Sequence, residues 1–207
     1  MSFTLLRIVV LALGLIVAGC TSLPLAPVGN TDFQANEKAL LTRKDWSLQG
    51  RLGVRQENQS DSVALVWKQQ DQQFDLVFRS TLLGLGTTHV YGTVQRVTVE
   101  KAGEQPVTLP GLQALTKQYL SFEFPAAYLV YWVRGLPVPN VAATPEFDEH
   151  SRLISLVQRD DKGRGWQLQY DRYTEVETLV LPGRIKMNTD GLQLTFVIDK
   201  WQPGAAP

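Results

Sequence analysis

Few of the side chains that commonly do chemistry in proteins are present, and they lie far apart in the sequence. The chain has one cysteine, Cys20, and two histidines, His89 and His150. Neither histidine has the spacing to another histidine or cysteine that a metal site requires. His89 falls in a predicted strand and His150 in a polar stretch, so we expect surface roles for both. The sequence therefore predicts neither a metal centre nor a histidine-based catalytic site.

Carboxylates and glycines give no stronger signal for catalysis or phosphate binding. The acidic residues at 146–149 and 160–161 fall in polar, turn-like segments, which predicts solvated loops. Gly84 and Gly86 flank a leucine, but the third glycine and the strand-to-helix context of a dinucleotide-binding loop are missing. We therefore expect no enzymatic activity and no metal or nucleotide cofactor.

The cysteine follows a segment with the pattern of a secretory signal. Arg7 supplies a positive charge, residues 8–18 are apolar and Gly19 is small. The apolar run of about eleven residues is shorter than the roughly twenty that span a membrane. We predict cleavage after residue 19, which leaves Cys20 as the first residue of the mature chain. With no second cysteine, an internal disulfide cannot form.

Val17-Ala18-Gly19-Cys20 resembles the bacterial lipobox, in which the cysteine thiol carries a diacylglycerol. Thr21 stands where an aspartate would favour retention in the inner membrane. The resemblance to Gram-negative lipoproteins therefore implies a lipid on Cys20 and an outer-membrane address facing the periplasm. Residues 20–31, rich in proline and small residues, predict a lipidated tether. Residues 32–202 would form a single domain and 203–207 a flexible tail.

The charges of the sequence nearly balance. The chain has 20 basic and 20 acidic residues, and the predicted signal contributes only Arg7, so the mature part would carry 19 against 20. No basic stripe of the kind that binds nucleic acid is visible. Any attraction to a membrane should therefore be apolar.

From Trp46 onward, apolar residues alternate with polar ones, which predicts strands of an antiparallel sheet with one apolar face. The alternation runs to Leu109 and resumes at 154, where Ile154 and Leu156 are predicted to face inward. Helical spacing predicts helices over 33–44, 112–122 and 125–134. The last is apolar almost all round, as expected of a helix that is buried or covers something apolar. The pattern leaves open whether sheet and helices enclose a packed core or a cavity.

The segment between residues 80 and 88 is unusual because a predicted loop carries three leucines, Leu82, Leu83 and Leu85. Loops between strands are normally polar. The leucines could fold back onto the core. Alternatively, they could form an apolar tip that enters a bilayer, where burying each leucine would contribute about 1.5–3 kcal/mol.

Several motifs follow one another in order along the chain. They are Trp46-Ser-Leu-Gln-Gly-Arg51, the strand ending in Trp67, Leu83-Gly84, Tyr131-Trp-Val-Arg-Gly-Leu-Pro137, Gly165-Trp-Gln-Leu-Gln-Tyr170 with Tyr173, Leu181-Pro-Gly-Arg-Ile185 and Ile198-Asp-Lys-Trp201. With these motifs in this order, the chain resembles the LolB family of outer-membrane lipoprotein receptors from about Trp46 to Trp201.

The resemblance implies a mainly β (α+β) fold, an antiparallel half-barrel lidded by helices around an apolar cavity. In this family, the cavity takes the acyl chains of lipoproteins from a periplasmic carrier of the LolA type. The receptor then delivers them to the inner leaflet of the outer membrane. Candidate cavity-lining residues are Trp67, Phe78, Tyr128, Leu129, Trp132, Trp166 and Ile198.

A leucine in the loop after the third strand promotes membrane insertion in the family. The matching Leu-Gly assigns that role to Leu83, with Leu82 and Leu85 in support. Leu82 departs from the family pattern, which often has proline there, so the tip could lie one or two positions away. The implied partners are the carrier, client lipoproteins and outer-membrane phospholipid, and we expect a monomer.

Two alternatives remain open on the sequence. The first is a structural or assembly lipoprotein of the envelope, with a packed sheet and no acyl-chain cavity. The second is a periplasmic hydrolase, which would lose its activity on substitution of His89 or His150.

Overall fold

The computed structural model describes residues 32–57, 59–80, 86–120 and 122–204. The predicted signal, Cys20, the tether to residue 31 and the three leucines Leu82, Leu83 and Leu85 lie outside the described residues. Their predicted roles therefore stay predictions. Within the described ranges, no helix is long and apolar enough to cross a membrane.

The helices are short and the strands make up most of the domain. The helices are α1 (Phe33–Thr42), α2 (Leu112–Tyr119) and α3 (Leu129–Trp132), with a 3-10 turn at Ala126–Tyr128 leading into α3. The strands are β1 (Trp46–Gln56), β2 (Gln59–Gln70), β3 (Gln73–Ser80), β4 (Gly86–Thr93), β5 (Arg96–Lys101), β6 (Val107–Leu109), β7 (Ala143–Phe147), β8 (Leu153–Arg159), β9 (Gly165–Asp171), β10 (Thr174–Val176), β11 (Leu179–Leu181), β12 (Arg184–Thr189) and β13 (Leu192–Pro203).

Eleven strands form one sheet in the order β6-β5-β4-β3-β2-β1-β13-β12-β9-β8-β7. Neighbouring strands are antiparallel throughout. The two outer strands, β6 and β7, have no pairing with each other in the described structure, so the sheet is open. Strands β10 and β11 form a separate small sheet. This confirms the predicted fold class, an antiparallel sheet with few helices.

The sheet has one apolar face because successive side chains of a strand point to opposite sides. On β9, Trp166, Leu168 and Tyr170 are buried and the residues between them are exposed. Side chains of this inner face form a main core with α1, α3 and the small sheet. A second core, of Phe74, Val90, Val97, Val99 and Leu109, packs against α2. The predicted alternation thus correctly identifies the inner face.

The prediction that Ile154 faces the core is wrong. Ile154 is 40% exposed and Leu153 only 1%. Glu146 pairs with Ser155, but the next residue, Phe147, pairs with Leu153. Ile154 is therefore the extra residue of a β-bulge, which shifts the inward positions of β8 by one. The strand β7 that causes this pairing was not predicted.

The three predicted helices are all shorter than expected. Helix α1 begins after Asp32, whose carboxylate accepts hydrogen bonds from the backbone N–H of Gln34 and Ala35. The largest difference lies at 125–134, where only Leu129–Trp132 is α-helical. Gly135, with a φ of +73°, redirects the chain there.

Two hairpins share a clamp made by an aspartate and the arginine four residues later. In one, Arg152 Nε donates to Asp148 Oδ2 at 2.7 Å. In the other, Arg164 Nε donates to Asp160 Oδ2 at 2.8 Å. Each aspartate Oδ1 also accepts two backbone N–H groups of its own turn. The repeated geometry fixes both turns.

The prediction that residues 160–161 form a solvated loop is wrong for Asp160. Its side chain has 0% exposure and also accepts a hydrogen bond from Trp166 Nε1 at 3.2 Å. Burial alone would raise the pKa of Asp160, but the hydrogen bonds from Trp166 and Arg164 outweigh it and hold the pKa below its usual value. Asp160 is therefore a buried structural carboxylate.

Gly50→Ala is expected to destabilise the protein by about 2 kcal/mol through overpacking. A Cβ at Gly50 would lie 2.1 Å from the carbonyl oxygen of Val197 and 2.9 Å from Cα of Ile198. At Gly53, on the same strand, the nearest atoms belong to Thr195 and Asp61 and the shortest distance is 3.8 Å. Gly53→Ala is therefore the matched control in urea unfolding, and equal midpoints for the two variants would contradict the prediction.

Candidate apolar binding site

The structure brings the seven predicted cavity-lining residues to one region, the main core on the inner face of the sheet. Four are buried, namely Trp67, Trp132, Trp166 and Ile198. Three are half-buried and pack against that core, namely Phe78, Tyr128 and Leu129. That they line a cavity remains a prediction.

Aromatic contacts connect the covering helix to the sheet. The ring of Trp132 in α3 lies 5.3 Å from Tyr128 and 5.7 Å from Trp166 of β9. At the other end of the inner face, Trp46 lies 5.0 Å from Trp67 and 5.8 Å from a third tryptophan, Trp201. Contacts of this kind stabilise a core beyond the area that they bury.

The burial of the inner face changes along the strands. At the start of β1, Trp46 and Leu48 are buried, whereas Leu52 and Val54 further along are half-buried. On β3, Phe74 is buried. Val63 of β2 and Leu76 and Phe78 of β3 are half-buried, like Leu52 and Val54. We call these five half-buried residues the apolar mouth.

The register shows which end of the sheet the mouth approaches. Leu52 pairs with Val63 and Val54 with Leu194. These pairs lie near the end that carries the β1–β2, β8–β9 and β12–β13 turns, which we call the open end. Phe78 is two residues before the last residue of β3, so the chain continues from the mouth directly into the leucine-rich connection between β3 and β4.

The segment from Phe122 through the 3-10 turn to the end of α3 packs against the main core, and we call it the cover. Phe122 and Phe124 are half-buried, pack against the main core and lie 5.8 Å apart. The segment continues through the 3-10 turn into α3, where Trp132 is fully buried. The apolar mouth and this cover together form the candidate site.

Gln158 is a buried polar residue that holds the cover and that the sequence pattern missed. Its Oε1 accepts hydrogen bonds from Trp132 Nε1 at 2.9 Å and from Val138 N at 3.0 Å. Its Nε2 donates to the carbonyl oxygens of Val138 and Val141. The sequence did contain a signal for this residue, because Gln158 lies two residues after Leu156 and therefore at an inward position of the predicted strand.

Arg134 is the second buried polar residue that the sequence analysis did not single out. Its guanidinium donates to the backbone carbonyls of Val130, Leu40 and Arg43 and lies 5.5 Å from the ring of Trp46. Burial lowers the pKa of Arg134 to about 10, so it is still protonated at neutral pH. It ties α1 to the end of α3.

Two tyrosines near the C-terminal end of β9 differ in their hydrogen-bond partners. Tyr173 OH donates to the carbonyl oxygen of Leu153 at 2.6 Å. The buried hydroxyl of Tyr170 has no hydrogen-bond partner among the described residues. Burial raises the pKa of both phenols, so both remain neutral.

The histidines lie away from the candidate site. His89 Nε2 lies 3.0 Å from Asp75 Oδ1, and its ring lies 4.6 Å from that of Tyr91. Both partners are on the outer face of β3 and β4. Across the described ranges, no group of three or more His, Cys, Asp or Glu residues could hold a metal ion.

Two concavities of the described structure are lined by residues outside the apolar mouth. One, of about 570 Å³, is open and lined by Gln56, Glu57, Gln59 and Gly191. The other, of about 10 Å³, lies between α1 and Tyr173 and could hold one water.

Residues 44–201 match the model of the family described as outer membrane lipoprotein LolB. The chain belongs to the LolB family. An outer-membrane lipoprotein LolB of Stutzerimonas stutzeri is 36% identical over 196 residues, which cover 92% of each chain. One of Pseudomonas fluorescens is 34% identical over 171 residues, 83% of this chain and 80% of that one. LolB membership confirms the predicted class, an outer-membrane lipoprotein of Gram-negative bacteria.

Solved structures show the same fold at low identity. A LolA superfamily protein from Nitrosomonas europaea matches with a TM-score of 0.53 and 13% identity, covering 87% of this chain and 96% of that one. A DUF1329 family protein from Desulfovibrio piger matches with a TM-score of 0.52 and 7% identity, covering 87% and 95%. The LolB family chain therefore shares its sheet-and-helix architecture with the LolA superfamily.

Proposed function

We propose that this LolB family member is the lipoprotein receptor of the outer membrane. It takes lipoproteins from a periplasmic carrier by binding their acyl chains on the inner face of the sheet. It then inserts them into the inner leaflet of the outer membrane. The observation that carries the proposal is the half-buried apolar mouth on the inner face of the sheet, in a chain of this family whose helical segment packs against the same core.

The energetics of an acyl chain favour such a site. Each methylene exposed to water costs about 0.8 kcal/mol, so an acyl chain must stay covered between carrier and membrane. Leu52, Val54, Val63, Leu76 and Phe78 offer apolar surface that is neither fully buried nor fully exposed. A surface of this kind can exchange its protein contacts for contacts with a ligand.

The proposed partners follow from this site. They are a carrier of the LolA type, client lipoproteins and outer-membrane phospholipid, and the receptor acts as a monomer held by the lipid on Cys20. The predicted cavity-lining residues Trp67, Phe78 and Leu129 would contact the acyl chain once the cover moves. No catalytic step is part of the proposal, so transfer follows increasing affinity from carrier to receptor to bilayer.

Transfer of a labelled client tests this function. Purified Cys20→Ala protein is mixed with the carrier loaded with a radiolabelled outer-membrane lipoprotein, and liposomes are then added. We expect capture by the receptor and subsequent release into the liposomes. Folded protein that never captures the client would overturn the proposal.

The alternative is a structural envelope lipoprotein, favoured by one observation, the tight packing of Trp132 and Trp166 in the core. A packed core of that kind would not take up an apolar fluorescent probe. Uptake of the probe, competed by a lipoprotein acyl chain, favours the receptor, whereas no uptake favours the scaffold.

Leu83→Glu is expected to leave folding and capture intact but to slow release into liposomes at least about tenfold, because a charge opposes insertion of the loop into the bilayer. The measurement is the rate of client transfer to liposomes after capture. Leu41→Glu, at an exposed leucine of α1, is the matched control. A large fall in the thermal stability of Leu83→Glu would mean instead that Leu83 belongs to the core.

A further inference from the structure

The cover of the candidate site is held very differently at its two ends. At the far end, Trp132 and Arg134 are buried and hydrogen-bonded to Gln158 and to backbone carbonyls. At the near end, Glu123 is held by exposed groups of the β8–β9 hairpin. Buried hydrogen bonds are protected from solvent, whereas exposed ion pairs are weak because water and salt screen them. The near end is therefore the part that opens most easily.

The contacts of Glu123 define this near end. Lys162 Nζ lies 2.6 Å from Glu123 Oε2, and the two side chains are 49% and 54% exposed. Arg164 Nη1 donates to the backbone carbonyl oxygen of Glu123 at 3.1 Å. Asp160 holds that arginine in place from within the hairpin. The hydrogen bond and the charge of Lys162 keep the pKa of Glu123 below its usual value.

The segment around Glu123 lies at the open end of the sheet. On one side it follows α2, whose Tyr119 lies 5.0 Å from Nζ of Lys101, the last residue of β5. On the other side it meets the β8–β9 hairpin, at the open end of the sheet. Phe122 and Phe124, on either side of Glu123, pack against the same core as four residues of the apolar mouth, namely Leu52, Val54, Leu76 and Phe78.

We propose that residues 122–125 form a strap that opens to admit the acyl chain, and that the Glu123–Lys162 ion pair is the latch that holds the strap shut. The proposal rests on the proposed receptor function. Glu123 and Lys162 are positioning residues, since neither contacts the acyl chain. The strap turns about the anchored end of α3, and Phe122 and Phe124 leave the core as it opens.

Reversible cross-linking tests the latch directly. Cysteines replace Glu123 and Lys162 in the Cys20→Ala protein and are bridged by a short bis-methanethiosulfonate reagent, which a reductant removes. We expect the bridged protein to lose capture of the lipoprotein and to regain it after reduction. The matched control bridges cysteines in place of Ser47 and Gln202, which contact each other across β1 and β13 at 3.3 Å.

Bridged protein that captures the client as well as the reduced protein would overturn the latch and leave the receptor function standing. Loss of capture in the Ser47–Gln202 control as well would also count against the latch, since the loss would then come from bridging in general. If the Cys20→Ala parent protein captures no client either, the receptor function fails, and strap motion in the free protein decides the latch.

That motion is measured by hydrogen exchange in the absence of any client. Lys162→Glu places a third carboxylate beside Glu123 and Asp160, so we expect the amides of residues 122–124 to exchange roughly threefold to tenfold faster. Lys68→Glu, on the exposed outer face of β2, makes the same change in net charge and should leave these amides unchanged. Unaltered exchange at 122–124 in Lys162→Glu would overturn the latch.

Discussion

Replacing Arg134 with methionine is expected to lower the free energy of unfolding by about 2–3 kcal/mol. Methionine fills much of the same space but donates no hydrogen bond. The carbonyl oxygens of Leu40, Arg43 and Val130 would then remain in a buried region without their donor. Methionine also removes the free-energy cost of burying the charge of Arg134, which offsets part of this loss.

The reason for the large effect is the position of Arg134 between elements distant in sequence. The last turn of α1 contains no basic residue, so Arg134 supplies from outside the cation and the donors that helix ends favour. We expect α1 to detach before the sheet unfolds.

Chemical denaturation with tryptophan fluorescence measures this change. Arg51→Met, at an arginine of the outer face that is 61% exposed, is the matched control and should change stability little. Arg134→Lys should fall between wild type and methionine, since lysine keeps the charge but lacks the planar fork. Equal stability of Arg134→Met and Arg51→Met would contradict the role of Arg134 in holding α1.

Asp160→Asn is expected to cost about 2–3 kcal/mol. Asp160 Oδ2 accepts hydrogen bonds from Arg164 Nε and Trp166 Nε1, and Oδ1 accepts two backbone N–H groups. Asparagine replaces one of these two oxygens with an NH₂ group. In either orientation of the amide, that NH₂ group would face N–H donors that need an acceptor. Asp161→Asn, at the exposed neighbour, should be nearly neutral, and thermal unfolding of the two variants compares them.

The same carboxylate makes stability depend on pH. Because the folded-state pKa of Asp160 lies below its usual value of 3.8, its contribution is present above that value and is lost as pH falls through the folded pKa. Asp148, whose pKa is also lowered by its hydrogen bonds to Arg152 against the effect of burial, acts in the same direction. The difference between wild type and Asp160→Asn should narrow as pH falls below 3.8, and a constant difference would contradict this account.

The sequence by itself determined the inner face, the fold class and the family. Alternation with period two identifies which side chains of β9 and β13 point inward, because the direction of a side chain in a strand depends only on the backbone. The ordered motifs from Trp46 to Trp201 indicate the family, because they reflect the sequence alone. Four of the seven predicted cavity-lining residues lie at inward positions of strands, and the other three lie in the 3-10 turn and α3, which pack against the same core.

Only the tertiary structure decided the features that depend on pairing between distant segments. Ile154 points outward because β7 pairs with β8 through a bulge, and the alternation of apolar and polar residues does not reveal a bulge. Asp160 is buried because Trp166 and Arg164 surround it, although the local sequence is typical of a solvated turn. Arg134 and Glu123 take opposite roles at the two ends of the cover because one is enclosed by α1 and the other lies in solvent, and burial of that kind arises only once the chain has folded.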